Sequence, residues 1–245
     1  PLSINPSIIR GREIHIDSSV SSQYISSLLL IAPKINGGLK INLTGKETSI
    51  PYIKMTVNLL EQIGVEVVSK KNYIHVKELN SISSKEIIVE SDWSSASYFY
   101  SIVALAPIGY KISLNGFKKD SIQGDSRVKT IYESFGVKTT FLNNKIVLEK
   151  VSVVQQPILL DLSSNPDLAQ TICVTCLGLK ISCKLTGLHT LKIKETDRIE
   201  ALQNELSKFG VLVETTTDSI MFNYVTDFCS GVKIKTYDDH RMAMA

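Results

Sequence analysis

The sequence predicts an α/β fold, in the wider sense that includes α+β, built from repeated β-α-β-α-β-β units. Three recurrences predict it. Strand-like segments ending in Leu-x-Gly fall at Gly45, Gly116 and Gly187, 71 residues apart at each step. Gly-Val pairs follow amphipathic helical stretches at Gly64, Gly136 and Gly210, at steps of 72 and 74. Polar helix starts at Ser21, Ser94 and Asp167 lie 73 apart, and one more step of 73 lands on His240. A fixed period of this length marks a supersecondary unit used several times over.

Taken in order, the first unit opens with a strand over Glu13 to Ile16, a helix over Ser21 to Ile31 and a strand over Leu39 to Leu43. Pro51 then occupies a favoured early position of a second helix running to about Ile63. A hairpin of Val65 to Val68 and Tyr73 to Val76, turning at Lys71-Asn72, closes the unit. The second unit places a helix over Ser94 to Leu105, a strand over Lys111 to Leu114, a helix over Asp125 to Phe135, and strands over Lys138 to Phe141 and Ile146 to Leu148 about Asn143-Asn144. The third uses strand Ile158 to Leu162, helix Asp167 to Leu179, strand Cys183 to Leu185, helix Thr196 to Phe209, and strands Leu212 to Thr215 and Ile220 to Asn223.

The two helices of a unit differ in kind. Leu28-Leu29-Leu30-Ile31, Ile102-Val103-Ala104-Leu105 and Ile172-Cys173-Val174 are apolar nearly all round, so each first helix is expected to be buried. The second helices show a stripe, as at Val128, Ile131, Tyr132 and Phe135. A buried helix that starts with Ser or Asp must present that start to a cleft, because a polar group in a core needs partners. Function is therefore expected at the helix starts.

Composition bounds the partners. The chain has 245 residues, 43% apolar content and a formal charge of +3, too small to argue for nucleic acid or a membrane surface. No apolar run approaches bilayer length. Cys173 and Cys176 form a C-x-x-C inside the apolar run Thr171 to Leu179, with no nearby His and no second pair, and read as buried helix residues rather than a redox or metal pair. With no signal peptide, this favours a reducing, cytoplasmic setting. The start at Pro1 and the stop at Ala245, a few residues into a new helix, lead us to expect a fragment.

The densest chemistry is Lys194-Glu195-Thr196-Asp197-Arg198. Thr196 reads as an N-cap, with Ile199, Leu202, Leu206 and Phe209 forming the apolar face of the helix that follows. Lys194, Arg198 and the helix mouth would then make a compact anion site, with Glu195 beside it to handle a proton. A solvated helix start with a salt bridge is the alternative reading. Ser21, Ser22 and Gln23 open the first apolar helix, where two hydroxyls and free N–H groups suit a phosphate or simply cap the helix. Asp167, after Asn165-Pro166, stands where a helix dipole favours a carboxylate anion and also fits an N-cap.

K-E-T-D-R-I, followed by a helix and Phe-Gly-Val, resembles the signature of the 5-enolpyruvylshikimate-3-phosphate synthase family. Asp17-Ser-Ser-Val-Ser-Ser-Gln23, Ser94-Ser-Ala-Ser-Tyr98 and Asp239-His-Arg-Met-Ala-Met244 match the same family in order and span nearly the whole chain. The resemblance implies units packed about a pseudo-threefold axis, the inside-out α/β arrangement of the enolpyruvyl transferase fold, in two domains with the active site between them. Residues 1–90 would be the C-terminal part of the first domain, on the shikimate-3-phosphate side. Residues 91–245 would be most of the second, truncated at its last unit, with a hinge at Ser91-Asp92.

The implied reaction transfers the enolpyruvyl group of phosphoenolpyruvate to the 5-hydroxyl of shikimate-3-phosphate by addition and elimination of phosphate, with no metal or organic cofactor. By the same resemblance Ser21, Ser22, Gln23, Ser49, Tyr52, Asp167 and Lys194 would hold shikimate-3-phosphate. Gln23, Arg198 and Arg241 would hold phosphoenolpyruvate, and bidentate guanidinium geometry suits its carboxylate and phosphate. Asp167 would act as base toward the 5-hydroxyl and Glu195 in proton transfer at the methylene, and which of the two moves which proton stays open. His240 reads as a site-wall residue. The partners implied are these two small molecules, with no nucleic acid and no membrane. The family also uses cations that would lie before Pro1 and beyond Ala245, so the chain alone is expected to be inactive. It is expected to self-associate through residues 1–90, where the apolar helix Ser21 to Ile31 lacks neighbours.

Two rival readings are weighed. The sister transferase acting on UDP-N-acetylglucosamine carries a catalytic cysteine on a flexible loop, whereas Cys173, Cys176 and Cys183 lie in or beside helix and strand patterns and Cys229 lies in a short segment before a strand. A non-catalytic repeat scaffold would not require polar residues clustered at helix starts.

Overall fold

The structure, a computed structural model, describes residues 13–19, 21–45, 49–223 and 228–245. The chain forms two compact units, up to Ile88 and from Val89 onward.

The first unit runs β1 (Glu13–Asp17), α1 (Ser22–Ile31), a 3-10 turn (Ala32–Lys34), β2 (Leu39–Thr44), α2 (Ile50–Gln62), β3 (Val67–Lys70) and β4 (Tyr73–Val76). Its sheet has the order β1-β2-β4-β3. β1 runs parallel to β2 with Ile14 beside Ile41, which requires the α1 crossover, and the other pairings are antiparallel. The hairpin turns at Lys71-Asn72, as expected. Ile25 and Leu29 of α1 meet Ile53, Val57 and Leu60 of α2 over Ile41, Ile74 and Val76 of the sheet.

The second unit begins with α3 (Trp93–Leu105), β5 (Lys111–Asn115), a 3-10 turn (Gly124–Arg127), α4 (Val128–Glu133), β6 (Val137–Leu142) and β7 (Lys145–Lys150). It continues with β8 (Ile158–Asp161), a 3-10 turn (Pro166–Leu168), α5 (Ala169–Gly178), β9 (Cys183–Thr186) and a 3-10 turn (His189–Ile193). α6 (Arg198–Ser207), β10 (Val213–Thr215), β11 (Ser219–Phe222) and α7 (His240–Met244) complete it. One sheet is β10-β11-β9-β8, with β8 parallel to β9, and repeats the pattern of the first unit. The other, β5-β7-β6, has three strands. Its expected leading strand does not form. Ser91 marks the place, its N–H donating to the Gly116 carbonyl at 2.7 Å and its Oγ to that of Asn115 at 2.9 Å.

The repeat predicted from sequence has a backbone basis at the end of β2 and of β9. Gly45 and Gly187 both adopt a left-handed conformation, with φ of +76° and +77°. A Cβ on Gly45 would lie 2.3 Å from the Asp17 carboxylate, and one on Gly187 would lie 2.4 Å from the Ser163 nitrogen. The dihedral favours glycine at both positions, and at Gly187 a Cβ would also require the Ser163 backbone to move, whereas at Gly45 it would displace the end of the Asp17 side chain.

Several expectations are corrected. Of the first helices, only α5 is buried nearly all round, because it packs between α3 and α6. α1 leaves Tyr24, Leu30 and Ile31 exposed, and α3 leaves Phe99, Ile102 and Leu105 exposed. The helix expected from Asp125 is a 3-10 turn followed by the short α4, and α6 ends at Ser207 rather than Phe209. Its N-cap is Asp197, not Thr196. The Asp197 carboxylate takes the N–H groups of Ile199 and Glu200, both at 3.1 Å, since a carboxylate fills the polarised helix mouth better than a hydroxyl.

Candidate active site

Three segments of the second unit converge on one guanidinium. Arg198 is the first residue of α6 and is 1% exposed. Its Nε donates to Asp239 Oδ2 at 2.8 Å, its Nη1 to Asp167 Oδ1 at 3.0 Å, and its Nη2 to Glu195 Oε2 at 2.6 Å and Asp239 Oδ1 at 3.2 Å. A planar fork with five donors is the side chain that can serve three carboxylates at once, and a buried charge demands such satisfaction.

Asp167 is the second hub. Besides Arg198 it faces Lys194 Nζ at 3.6 Å and Arg241 Nη2 at 3.6 Å, so three cations surround one carboxylate. The sequence placed Asp167 at an N-cap, but it lies inside the 3-10 turn that precedes α5 and makes no side-chain cap hydrogen bond to the helix. Its position is set from behind. Asn165, 1% exposed, donates to the buried Asp125 carboxylate at 3.1 Å, and Asp125 also takes the Ser94 hydroxyl at 2.6 Å. That ties the turn carrying Asp167 to the first turn of α3.

Asp239 closes the cluster. It is the N-cap of α7, accepting the Arg241 N–H at 2.8 Å while pairing with Arg198. Burial alone would raise its carboxyl, but the Arg198 hydrogen bond and the backbone donors outweigh burial and hold it below the usual aspartate range. Arg241 also meets the Tyr98 hydroxyl, and burial pushes that phenol upward. Asp92, the N-cap of α3, is desolvated as well, yet hydrogen bonds from Ser95 and Ser94 and the charge of Arg241 keep it below its usual value. A cleft lies along Arg241, lined by Asp92, by Tyr98 and Phe99 of α3 and by His240 and Met244 of α7. The His240 side chain is 63% exposed, in keeping with a wall position.

The expected anion site at the α6 mouth is thus altered. The helix N–H groups are taken by Asp197, and Arg198 faces carboxylates behind the surface rather than reaching over the helix end. Lys194 and Arg241 are the cations at the rim, with side chains 21% and 14% exposed. Among the described residues no group of His, Cys, Asp and Glu is arranged to hold a metal ion.

In the first unit, Ser21 is the N-cap of α1, its Oγ accepting the Gln23 N–H at 3.2 Å. Ser22 is buried and Gln23 is exposed. Ser49 precedes α2 in a left-handed conformation, φ +52°, and its carbonyl accepts the Tyr52 N–H at 3.0 Å. A partly buried hydrogen bond of 3.0 Å from the Thr56 hydroxyl to that of Ser26 joins α2 to α1. Lys194, Glu195, Arg198, Asp167 and Arg241 thus form one cluster in the second unit, and the serines, Gln23 and Tyr52 belong to the two helix starts of the first.

The sequence marked Asp92 only as part of a hinge, Asp125 only as a helix start and Asp239 only as a motif member, and none of them, nor Asn165, as a side chain that builds the site. Asp92 and Asp239 each precede a helix as an N-cap residue would, a signal that was present. Asp125 had none, because its partners come from segments about 30 and 40 residues away.

Three of the four thiols, Cys173, Cys176 and Cys183, are buried in the core, and Cys229 is exposed. Hydrogen bonding to Cys183 and burial push the Cys173 thiol up, and burial with the same partner pushes Cys176 up.

The family model for EPSP synthase (3-phosphoshikimate 1-carboxyvinyltransferase) matches residues 1–245. The chain is 42% identical over 248 residues to the 3-phosphoshikimate 1-carboxyvinyltransferase of Bacteroides fragilis (strain YCH46), covering 100% of this chain and 60% of that protein. It is 37% identical over 238 residues to the same enzyme of Buchnera aphidicola subsp. Cinara cedri (strain Cc), covering 96% and 54%. The chain therefore spans a little over half the length of these curated relatives. Among solved structures, EPSP synthase from Acinetobacter baumannii matches with a TM-score of 0.74 at 21% identity, over 96% of this chain and 55% of that one. The enolpyruvyl transferase NikO from Streptomyces tendae matches with a TM-score of 0.57 at 10% identity, over 87% and 51%. At these identities the two structures speak for the fold.

Proposed function

We infer, because the chain belongs to the EPSP synthase (3-phosphoshikimate 1-carboxyvinyltransferase) family, that the whole protein transfers the enolpyruvyl group of phosphoenolpyruvate to the 5-hydroxyl of shikimate-3-phosphate and releases phosphate. The observation that carries this reading is Asp167 enclosed by Lys194, Arg198 and Arg241. Two polyanions must be brought together and a proton moved between them, so the site needs cations around an ionised carboxylate. Asp167 and Glu195 are the proton carriers, at the hydroxyl and at the phosphoenolpyruvate methylene. Lys194 and Arg241 at the rim meet the incoming charges. Arg198 donates hydrogen bonds to both carboxylates and contributes to the phosphoenolpyruvate site.

Ser21, Ser22, Gln23, Ser49 and Tyr52 are proposed to bind shikimate-3-phosphate, with Gln23 also reaching phosphoenolpyruvate. The support is that they occupy helix starts, where hydroxyls and backbone donors favour phosphate. The two units are proposed to belong to two domains, divided near Glu90. A cytoplasmic setting follows from the same pathway reading and agrees with three core thiols left unpaired. Self-association of the isolated chain through residues 1–90 is also proposed, supported by exposed Leu30 and Ile31 on α1, and sedimentation of the chain tests it. The UDP-N-acetylglucosamine reading is disfavoured, because the family model for EPSP synthase matches the whole chain and Cys173, Cys176 and Cys183 are packed inside, with Cys229 alone exposed.

Phosphate release by the whole protein, assayed with phosphoenolpyruvate plus shikimate-3-phosphate, tests the assignment. Turnover that needs both substrates is the expected result. Turnover with a UDP-sugar in place of shikimate-3-phosphate would overturn it.

A further inference from the structure

Arg198 and Glu205 are seven residues apart on α6, two turns along one face of the helix, and each binds the same returning segment. At the first, Arg198 pairs with Asp239. At the second, Glu205, only 4% exposed, accepts the Tyr237 hydroxyl at 2.8 Å, the Lys235 N–H at 2.9 Å and Lys208 Nζ at 2.5 Å. Lys208 also donates to the Lys233 carbonyl at 2.9 Å. Residues 233–236 are exposed and form no helix or strand, so these contacts, with the Tyr237 ring packed against the core and its hydroxyl also meeting Asn204, hold the segment to α6.

Between the two tethers the backbone is strained. Tyr237 and Asp238 both have positive φ, +57° and +52°, and the Asp239 N–H donates to the Thr236 carbonyl at 3.0 Å, closing a tight turn with two left-handed non-glycine residues in its centre. Aspartate tolerates that conformation, but for a bulky residue such as tyrosine it is an outlier that persists only where the surroundings over-determine it. The next residue is Asp239, which receives Arg198 and caps the helix bearing Arg241.

We propose that the Glu205–Tyr237 hydrogen bond is a latch that holds this strained turn and thereby sets the position of Arg241 and the orientation of Arg198, making Glu205 and Tyr237 positioning residues for the anion site. This rests on the enolpyruvyl transfer reading for its kinetic consequence, but not for its structural one. The buried carboxylate costs desolvation, and its acceptance of a phenol from the strained residue itself offsets that cost only in the latched conformation. Relaxation of the turn would withdraw Asp239 from Arg198 and the cap from α7.

The test is Tyr237→Phe in the whole protein, with Asp238→Gly added in a second variant, read by amide hydrogen exchange at Arg241 and Met242 and by steady-state kinetics. Phenylalanine keeps the ring against the core and removes the hydroxyl that donates to Glu205 and meets Asn204. We expect faster exchange at those two amides and a KM for phosphoenolpyruvate raised about fivefold, the size of one lost hydrogen bond, with KM for shikimate-3-phosphate within about twofold. Glycine at 238 lowers the strain and should restore part of both effects. Unchanged exchange at Arg241 and Met242 would overturn the latch, as would equal rises in both KM values accompanied by a general loss of stability. If the parent protein shows no enolpyruvyl transfer, that reading fails by itself and the exchange data alone decide the latch.

Discussion

Arg198 and Asp239 form a two-point pair, Nε to Oδ2 at 2.8 Å and Nη2 to Oδ1 at 3.2 Å, with side chains 2% and 0% exposed. The pair joins α6 to α7, and both Arg198 and the residue two after Asp239 belong to the candidate site. Removing one partner of a buried pair leaves an uncompensated charge, at a cost of about 3 to 5 kcal/mol. Asp167 and Glu195 remain on Arg198, so Asp239→Asn should cost somewhat less, roughly 2 to 3 kcal/mol on the same scale. Urea midpoints of the two proteins measure it, and a difference under about 0.5 kcal/mol, the range of ordinary surface substitutions, would show that the pair is not structural.

Asp167→Asn preserves a hydrogen-bond acceptor but removes the proposed base. Turnover in the whole protein should fall by about a hundredfold or more, while affinity for each substrate stays within about tenfold. Near-normal turnover would remove Asp167 from the proton-transfer role.

Arg198→Lys replaces a fork serving three carboxylates by a single point charge. Affinity for phosphoenolpyruvate should weaken about tenfold, the size of one charge-assisted bond, and shikimate-3-phosphate should be affected less. Calorimetric titration of each substrate separates these outcomes, and equal losses would mark Arg198 as purely structural.

The depressed carboxyls give a pH dependence of stability. Asp239 lies below its ordinary value of 3.8 when folded, and Glu205 below 4.5, where burial is outweighed by bonds from Lys208, the Lys235 N–H and Tyr237. A carboxyl more acidic in the folded state contributes stability that is fully present above its unfolded pKa and is lost as pH falls through the folded value. The urea midpoint should therefore decline as pH drops below about 4. Asp239→Asn should flatten that decline, and an unaltered slope in the variant would mean that other groups carry it.

Gly187→Ala and Gly64→Ala separate dihedral strain from crowding. Both positions have positive φ, but a Cβ meets the Ser163 nitrogen at 2.4 Å in the first and nothing within 4 Å in the second. Gly64→Ala should cost about 1 to 2 kcal/mol from the backbone alone, and Gly187→Ala distinctly more because backbone must move. Equal losses in thermal denaturation would show that the loop at Ser163 yields freely.

The repeat was legible because it lies in the most local signals a chain carries. Glycines at the ends of β2 and β9 sit where the dihedral favours glycine, and apolar spacing separated strands from helices. The hairpin turns at Lys71-Asn72 and Asn143-Asn144 fell in place for the same reason. The motif Lys194 to Arg198 was likewise visible as an unusual density of charge.

Which carboxylate faces which cation was not legible, because those choices depend on segments distant in sequence. Thr196 and Asp197 are both acceptable caps, and the structure selected the carboxylate. Arg198 was expected at a helix mouth open to an anion, yet its guanidinium is taken by Asp167, 31 residues before it, and Asp239, 41 residues after it. The burial of the first helices likewise depended on what packs over them, so α5 is enclosed while α1 and α3 keep apolar faces exposed. The sequence by itself determined most of the order and kind of the elements and the residues that carry charge, since dihedral preference and apolar period act within a few residues, and it missed where a strand or helix turn depends on its packing, as at Ser91 and Asp125. Only the tertiary structure decided how those charges pair, since a buried guanidinium is satisfied by whichever carboxylates the packed helices and turns bring to it.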